Sequence, residues 1–172
     1  MRSLSLGDEA PNFDLASTED VLLMLRDECV RTSMVLYFFD QADGDQVRDD
    51  LLALARLWPE LSALSARALG ISRAALPKLK ELQQELHLPF PLLHDDRGFA
   101  AAYGLAEATE ETAVVPVLAA VDREQALLFL APVKTTMGEV LPEIVAALEE
   151  LPSPAAGLPR KVVNRVVDWW VN

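Results

Sequence analysis

The sequence predicts an α/β fold in which helices flank a central mixed β-sheet. Strand and helix signals alternate along the 172 residues, which is the pattern of a layered α/β domain. The clearest strand is the apolar run 34–39, whose length and lack of alternation are typical of a central strand covered on both faces. The chain shows no internal repeat and 51% of its residues are hydrophobic, so a single domain can bury a core of ordinary size.

The segment ahead of the central strand predicts two short elements. Residues 6–15 indicate a turn followed by a strand, because Gly and Pro interrupt the segment and apolar residues then alternate with polar ones. A short helix is expected over residues 21–26, with Thr18 or Asp20 as its cap.

The segment after the central strand predicts a helix and a second strand. A polar loop, residues 40–45, leads into an amphipathic helix over 46–58, which Pro59 breaks or kinks. Residues 66–71 form a weaker second strand.

Ser72 is expected to cap the next helix, which runs to Leu86 and holds Pro77 in its first turns. A loop with a short strand follows over 87–96. A short helix over 98–103 ends at Gly104.

A hairpin and a helix complete this part of the chain. The first hairpin strand is expected over 112–121, including Pro116, and the second over 125–130. An amphipathic helix follows over 137–151, and Pro142 fits it only in its first turn.

The composition changes at the C-terminus. We therefore divide the chain into a domain, residues 1–151, and a C-terminal segment, residues 152–172. The segment starts as a Pro- and Gly-containing linker. Apolar residues then recur at helical spacing over 160–171, which predicts a C-terminal tail helix.

The tail helix carries a candidate interface. Two adjacent tryptophans, Trp169 and Trp170, rarely both stay in water, and Val166 lies on the same predicted surface. These residues are expected either to pack over the chain's own sheet or to form the interface of a homodimer or of a complex with a protein partner.

Charge and hydropathy exclude some classes of function. The formal net charge of −12 repels phosphate backbones and anionic lipids, so we expect no nucleic-acid partner and no membrane association. No apolar run reaches the ~18 residues that suggest a membrane span, and the N-terminus has no signal-peptide pattern. We therefore expect a cytoplasmic protein.

The sequence has few residues of the types that bind metals or form disulfides. Cys29 is the single cysteine, so no intramolecular disulfide can form. The two histidines, His87 and His94, lie on segments separate from Cys29 and without ligand spacing. We therefore expect no metal site and no cofactor.

Three segments resemble the peroxiredoxins, the alkyl hydroperoxide reductase C and thiol-specific antioxidant family. Residues 6–15, Leu-Gly-Asp-Glu-Ala-Pro-Asn-Phe-Asp-Leu, resemble the family's opening, Gly-Asp-x-Ala-Pro-x-Phe-x-Leu. Residues 88–95 with 102–105 resemble its Leu-Pro-Phe-x-Leu-Leu-Ser-Asp and Tyr-Gly-Val segments, and 35–39 its strand before the active site. The resemblance is closest to the bacterioferritin-comigratory type. It implies a thioredoxin-like, peroxiredoxin-type mixed sheet.

The resemblance also implies where the family's chemistry would lie. In the family the strand runs into Pro-x-x-x-Thr-x-x-Cys, and the cysteine thiolate, stabilised by a helix start and an arginine, attacks peroxide. The matching positions in this sequence are Asp40, Gly44 and Val47. The position of a further family arginine falls at or beside Pro116. The family is a group of thiol peroxidases, but this site looks degenerate, so we expect a non-catalytic protein with a binding, regulatory or interaction role.

Two further functions stay open. Cys29 could act as a relocated redox thiol in an antioxidant peroxidase or oxidoreductase; otherwise it is a half-buried small hydrophobe. Alternatively, the vacated pocket at residues 40–47 could bind a small molecule. Pro116 sits where thioredoxins place a proline facing the active site, either as a cis proline or as a trans proline at an edge.

Overall fold

Seven strands form one mixed sheet in the computed structural model, which describes residues 3–107, 114–134 and 136–151. The strands are β1 Asp14–Ser17, β2 Leu22–Met24, β3 Ser33–Phe39, β4 Ala66–Ser72, β5 Leu92–His94, β6 Val117–Val121 and β7 Leu127–Pro132. The helices are α1 Leu25–Cys29, α2 Asp45–Arg56, α3 Trp58–Ala63, α4 Leu76–Leu86 and α5 Met137–Glu149, with a 3₁₀ helix at Phe99–Tyr103.

The strand order β2-β1-β5-β4-β3-β6-β7 places the parallel strands in the middle. β4 pairs in parallel with both β3 and β5, and the remaining pairs are antiparallel. In this register Phe39, Ser72 and His94 align side by side. The carboxyl ends of three strands therefore meet at one edge, which is where α/β sheets commonly place their sites.

The core has two layers, one on each face of the sheet. β3 is buried along its whole length, and alternate residues point to opposite faces. Tyr37 and Phe39 pack on the face covered by α2, α4 and α5. Leu36 and Phe38 pack on the face covered by α1 and the 3₁₀ helix. The predicted thioredoxin-like mixed sheet, with a central strand covered on both faces, is thus confirmed.

Two predicted boundaries are also confirmed. Pro59 lies in the first turn of α3, so it separates that helix from α2. The 3₁₀ helix lies between Gly98 and Gly104, both left-handed with φ of 78° and 97°. The carboxylate of Asp95 caps it by accepting hydrogen bonds from the amides of its first two residues, each at 2.9 Å.

The prediction of a helix over 21–26 is wrong. Residues 22–24 pair with β1 in an antiparallel hairpin, and α1 begins only at Leu25. Asp20 has φ of 61°, a turn conformation that does not start a helix. The hydroxyl of Ser17 closes this turn by donating to the carbonyl of Val21 at 2.7 Å.

Ser72 does not cap α4. The helix begins at Leu76, with Ala75 at the capping position and Pro77 in the first turn. The hydroxyl of Ser72 instead accepts from the amide of Ala74 at 3.0 Å and donates to the carbonyl of Asp40 at 2.9 Å. Ser72 therefore belongs to the edge where the strands end.

The positions predicted for Pro116 and Pro142 need correction. Pro116 precedes β6 instead of lying in it, because β6 is hydrogen-bonded on both sides and a proline would remove a ladder donor. The peptide bond before Pro116 is trans. Pro142 lies inside α5, since this helix begins at Met137. Burial of Leu141 and Ile144 holds α5 against the sheet despite the donor that proline lacks.

The linker and helix predicted over residues 152–172, with Val166, Trp169 and Trp170, lie outside the described residues. Among the helices that are described, none has the length and apolar character needed to cross a membrane.

Candidate functional site

The candidate site lies at the carboxyl edge of the sheet, where β3 passes through a short loop into α2. Asp40 follows β3 directly, Gly44 is the residue before α2, and Val47 lies in the first turn of α2. The chain thus brings together the three positions that the resemblance singles out. The helix start points its free amides at this edge, as expected at the beginning of an α-helix.

The side chains at these positions carry little chemistry. Val47 is 9% exposed and packs into the core beneath α2, and it offers only methyl groups. Gly44 has φ of 106°, and a Cβ added there would meet no atom within 4 Å beyond the adjacent residues. The loop therefore needs glycine for its backbone angle, not for lack of space. Asp40 is the one ionisable group of the three.

Asp40 is held by Arg73, a residue that the sequence analysis did not single out. The Nη1 atom of Arg73 lies 3.2 Å from Oδ1 of Asp40. The same guanidinium donates to the carbonyls of Ala106, at 2.8 Å, and Leu105, at 3.3 Å. The side chains of Arg73 and Asp40 are only 15% and 18% exposed. A signal for Arg73 was available, because it follows the second parallel strand directly.

The contacts of Arg73 join three loops at the edge of the sheet. They link the segment after β3, the end of β4 and the segment after the 3₁₀ helix. Arg73 also lies 3.5 Å from Glu107. Both Nη atoms of Arg73 are therefore engaged by protein oxygens, among them the carboxylate of Asp40.

Arg48, next to Val47 in sequence, does not face the site. Its guanidinium forms an ion pair with Glu85 of α4. The hydrogen bond from Arg48 lowers the pKa of Glu85 and raises that of Arg48. Arg48 thus joins α2 to α4 through its ion pair with Glu85.

Pro116 lies at the same edge as the end of β3. Its neighbour Val117 pairs with Phe38, and Pro116 is buried. The carbonyl of Pro116 accepts a hydrogen bond from the amide of Val133 at 2.8 Å. This register places Pro116, in its trans form, beside the end of β3; that its ring faces the loop after β3 stays a prediction.

Cys29 lies at the opposite end of β3. It ends α1 and is 2% exposed, so it is more deeply buried than the half-buried position expected. The seven residues of β3 span about 20 Å, and they separate Cys29 from the loop after Phe39. Burial raises the pKa of the neighbouring Tyr103 phenol, and the charge of a Cys29 thiolate would raise it further.

A second polar pair, also missed by the sequence analysis, lies beneath α2. The hydroxyl of Tyr37 donates to Oδ2 of Asp50 at 2.7 Å, and Asp50 is 2% exposed. Burial raises the pKa of Asp50, although hydrogen bonds from Tyr37 and from the backbone of Met137 oppose this shift. Burial also raises the pKa of Tyr37, with Asp50 adding to the effect. An acidic residue on the apolar face of α2 was the available signal.

His94 and Asp95 have structural partners. The Nδ1 atom of His94 lies 2.8 Å from the carbonyl oxygen of Ala74, and Asp95 caps the 3₁₀ helix. Over residues 3–107, 114–134 and 136–151, no group of three His, Cys, Asp or Glu side chains is arranged to hold a metal ion.

Comparisons with known proteins agree on one family. The model of the AhpC/TSA family matches residues 6–129. A putative peroxiredoxin bcp of Coxiella burnetii is 30% identical over 104 residues, which cover 60% of this chain and 68% of that protein.

Solved structures show the same fold. The peroxidoxin BcpB of Mycobacterium tuberculosis superposes with a TM-score of 0.78 and 20% identity, covering 86% of this chain and 98% of that one. A PrxQ mutant of Xylella fastidiosa superposes with a TM-score of 0.74 and 18% identity, covering 87% and 98%.

Proposed function

The chain belongs to the AhpC/TSA family, and we propose that it is a member without peroxidase activity that acts by binding and not by thiol chemistry. The observation that carries the proposal is Val47 in the first turn of α2. Peroxide reduction in this family starts from a thiolate that becomes a sulfenic acid. Valine has no atom that can make this attack.

The surroundings of Val47 support the same conclusion. A reactive thiolate needs nearby positive charge to lower its pKa. Here the loop and helix start carry Asp40, Asp43 and Asp45. The nearby cation, Arg73, is already paired with Asp40. The groups that would support a reactive thiolate are therefore missing along the whole loop, and not only at Val47.

Cys29 is the only thiol that could support the alternative, an antioxidant peroxidase or oxidoreductase. Its side chain is buried, and the length of β3 separates it from the loop where the family places its chemistry. A peroxidase that used Cys29 would need a new peroxide site on a different part of the domain. The burial of Cys29 therefore favours the proposal of a protein without peroxidase activity.

Peroxide consumption by the purified full chain tests the proposal. Hydrogen peroxide is followed with ferrous xylenol orange in the presence of dithiothreitol or of thioredoxin with its reductase. A catalytically active family member serves as the positive control. We expect no consumption above that of the reductants alone, both for the natural chain and for Cys29→Ser. Turnover by the natural chain that disappears in Cys29→Ser would establish the alternative instead.

The binding role and the cytoplasmic location stay predictions. A protein that has lost its reacting atom but keeps a complete core, with β3 buried along its length, is best explained by selection for shape or surface. The C-terminal segment, with Val166, Trp169 and Trp170, stays a candidate either for packing on its own domain or for an interface with a partner.

A further inference from the structure

A groove of about 320 Å³ lies between α2 and the start of α5. It is lined on one side by Gln46, Asp49 and Ala53 and on the other by Thr136, Met137 and Gly138. Ala53 and Met137 give it an apolar component, and the exposed Asp49 gives it negative charge. The groove can therefore accept an aromatic side chain from a basic segment.

The exposed face of α5 continues this negative surface. Glu143 and Glu150 are both exposed and lie about two helical turns apart, so they lie on one face. Glu149 and Glu150 at the C-terminal end oppose the helix dipole, and the last turn has no basic residue. A basic partner along this face would relieve this effect.

The C-terminal segment of the same chain has the complementary composition. Residues 152–172 contain Arg160, Lys161 and Arg165 against a single acid, Asp168, within a chain of net charge −12. Their apolar residues recur at the spacing of a helix and include Trp170. The segment is thus basic and amphipathic, whereas the domain that precedes it is strongly acidic.

The lengths of the two elements match. The thirteen residues of α5 span about 20 Å, and a helix over 160–171 would span about 18 Å. The linker, residues 152–159, can extend over about 26 Å, which is ample for a reversal of direction. In an antiparallel arrangement Arg160 and Lys161 would lie level with the end of α5, and Trp170 would lie level with the groove at its start.

We propose that residues 160–171 fold back along the acidic face of α5 and place Trp170 in the α2–α5 groove of the same chain. The occupant of the groove is therefore the protein's own C-terminal segment, not a second copy. This contact would cover the outer side of the helix that carries Val47. Docking of residues 160–171 does not depend on the absence of peroxidase activity, and the peroxide assay does not report on this docking.

Paramagnetic relaxation measured on the full chain tests the docking. A nitroxide is attached through Asn172→Cys in the Cys29→Ser background, and backbone amides are observed by NMR. We expect strong broadening of amides in 46–53 and 137–143 in a monomer. Glu143→Lys should reduce this broadening at least twofold. The matched charge change Glu19→Lys, in the turn beside β2 at the other end of the sheet, should leave it unchanged.

Other results would overturn the proposal. Broadening that appears only when spin-labelled chains are mixed with separately isotope-labelled chains would place the segment on a second copy. Broadening of other surfaces, no broadening, or no effect of Glu143→Lys would also contradict it. Should Cys29→Ser prevent folding, tryptophan emission in Trp58→Phe gives a second readout. The emission of Trp58→Phe should be blue-shifted at every protein concentration. Adding Glu143→Lys to Trp58→Phe should shift the emission to the red. Emission typical of water-exposed tryptophan both with and without Glu143→Lys would reject docking.

Discussion

The guanidinium of Arg73 lies 3.2 Å from the carboxylate of Asp40, directly beyond the ends of two neighbouring parallel strands. Asp40 matches the position at which the family sequence has a proline. An aspartate there does more than remove the proline, because its charge binds the arginine at the edge of the sheet. Asp40 and Arg73 therefore tie the loop after β3 to the end of β4 and to the segment after the 3₁₀ helix.

The first prediction concerns the stability of this pair. Arg73→Gln should lower the free energy of unfolding by about 2–3 kcal/mol, since it also removes donors from the carbonyls of Leu105 and Ala106. Asp40→Asn should cost less, about 1 kcal/mol. Urea denaturation of both single variants and the double variant gives the coupling energy, which should be about 0.5–1 kcal/mol.

A surface ion pair provides the control for Arg73 and Asp40. Lys78 and Glu81 lie 4.0 Å apart on α4 and are largely exposed, so Lys78→Gln should change stability by less than about 0.5 kcal/mol. Equal losses of unfolding free energy for Arg73→Gln and Lys78→Gln would show that the contacts of Arg73 stabilise the protein no more than an exposed ion pair does.

The second prediction is that Gly44 cannot be replaced by the threonine of the family without strain. Its φ of 106° is unfavourable for any residue with a Cβ, although the space around it is open. Gly44→Thr should therefore destabilise the domain by about 1–3 kcal/mol. The loss should be measurable by urea or thermal denaturation.

Gly138 is a suitable control for Gly44. It lies inside α5 and a Cβ there would meet nothing closer than 3.9 Å. Gly138→Ala should thus be neutral or stabilise by up to about 1 kcal/mol. An equal effect of the two substitutions would contradict the role of the backbone angle.

Local patterns predicted much of the fold. The apolar run of β3 predicted a strand covered on both faces. The polar loop after it predicted that Val47 lies at the start of a helix. Both predictions use only residues that are close together in the sequence. The hairpin of β1 and β2 was mistaken for a helix, because residues 21–26 satisfy a helical pattern until the partner strand supplies hydrogen bonds.

The polar pairs of the site could not be predicted in the same way. Asp40 and Arg73 are 33 residues apart, and they meet only because β3 and β4 are parallel neighbours in register. Tyr37 and Asp50 meet because α2 packs back over β3. Periodicity identifies the face of an element, but pairing across elements requires the strand order and the register.

The third prediction is that restoring the cysteine does not restore the activity. Val47→Cys should consume hydrogen peroxide no faster than a free thiol, because the loop lacks the threonine and an unpaired arginine. The pKa of the new thiol, measured from the pH dependence of its alkylation, should not fall below that of ordinary cysteine, about 8.5. Cys29→Ala/Val47→Cys isolates this thiol from the natural one. Rapid, reductant-dependent turnover would contradict the proposed loss of the whole site.

The fourth prediction concerns the accessibility of Cys29. Because its side chain is 2% exposed, it should react with a bulky aromatic disulfide at least a hundredfold more slowly in the native protein than in denaturant. Rates limited by opening of the structure report on local stability. A thiol that reacts within seconds under native conditions would show that the region around α1 opens readily and would reopen the case for redox chemistry.

The fifth prediction rests on the buried pair Tyr37 and Asp50. Burial raises the pKa of Asp50 above that of an unfolded aspartate, so between the two pKa values the folded state binds more protons than the unfolded state. This contribution to stability is complete at low pH and is lost as pH rises through the folded pKa. Because the hydrogen bond from Tyr37 opposes the shift, Tyr37→Phe should raise the pKa of Asp50 further.

Tyr37→Phe should therefore destabilise the protein most above the pKa of Asp50, by about 1.5–3 kcal/mol, because the ionised carboxylate there loses its donor. The cost should shrink as pH falls and Asp50 becomes protonated. Tyr103→Phe is the matched control, because its hydroxyl donates to the uncharged carbonyl of Pro11 at 2.6 Å; its cost, about 1 kcal/mol, should not vary with pH over the acid range. Urea denaturation of both variants from acid to neutral pH distinguishes the two. Parallel pH profiles would show that Asp50 does not titrate through its contact with Tyr37.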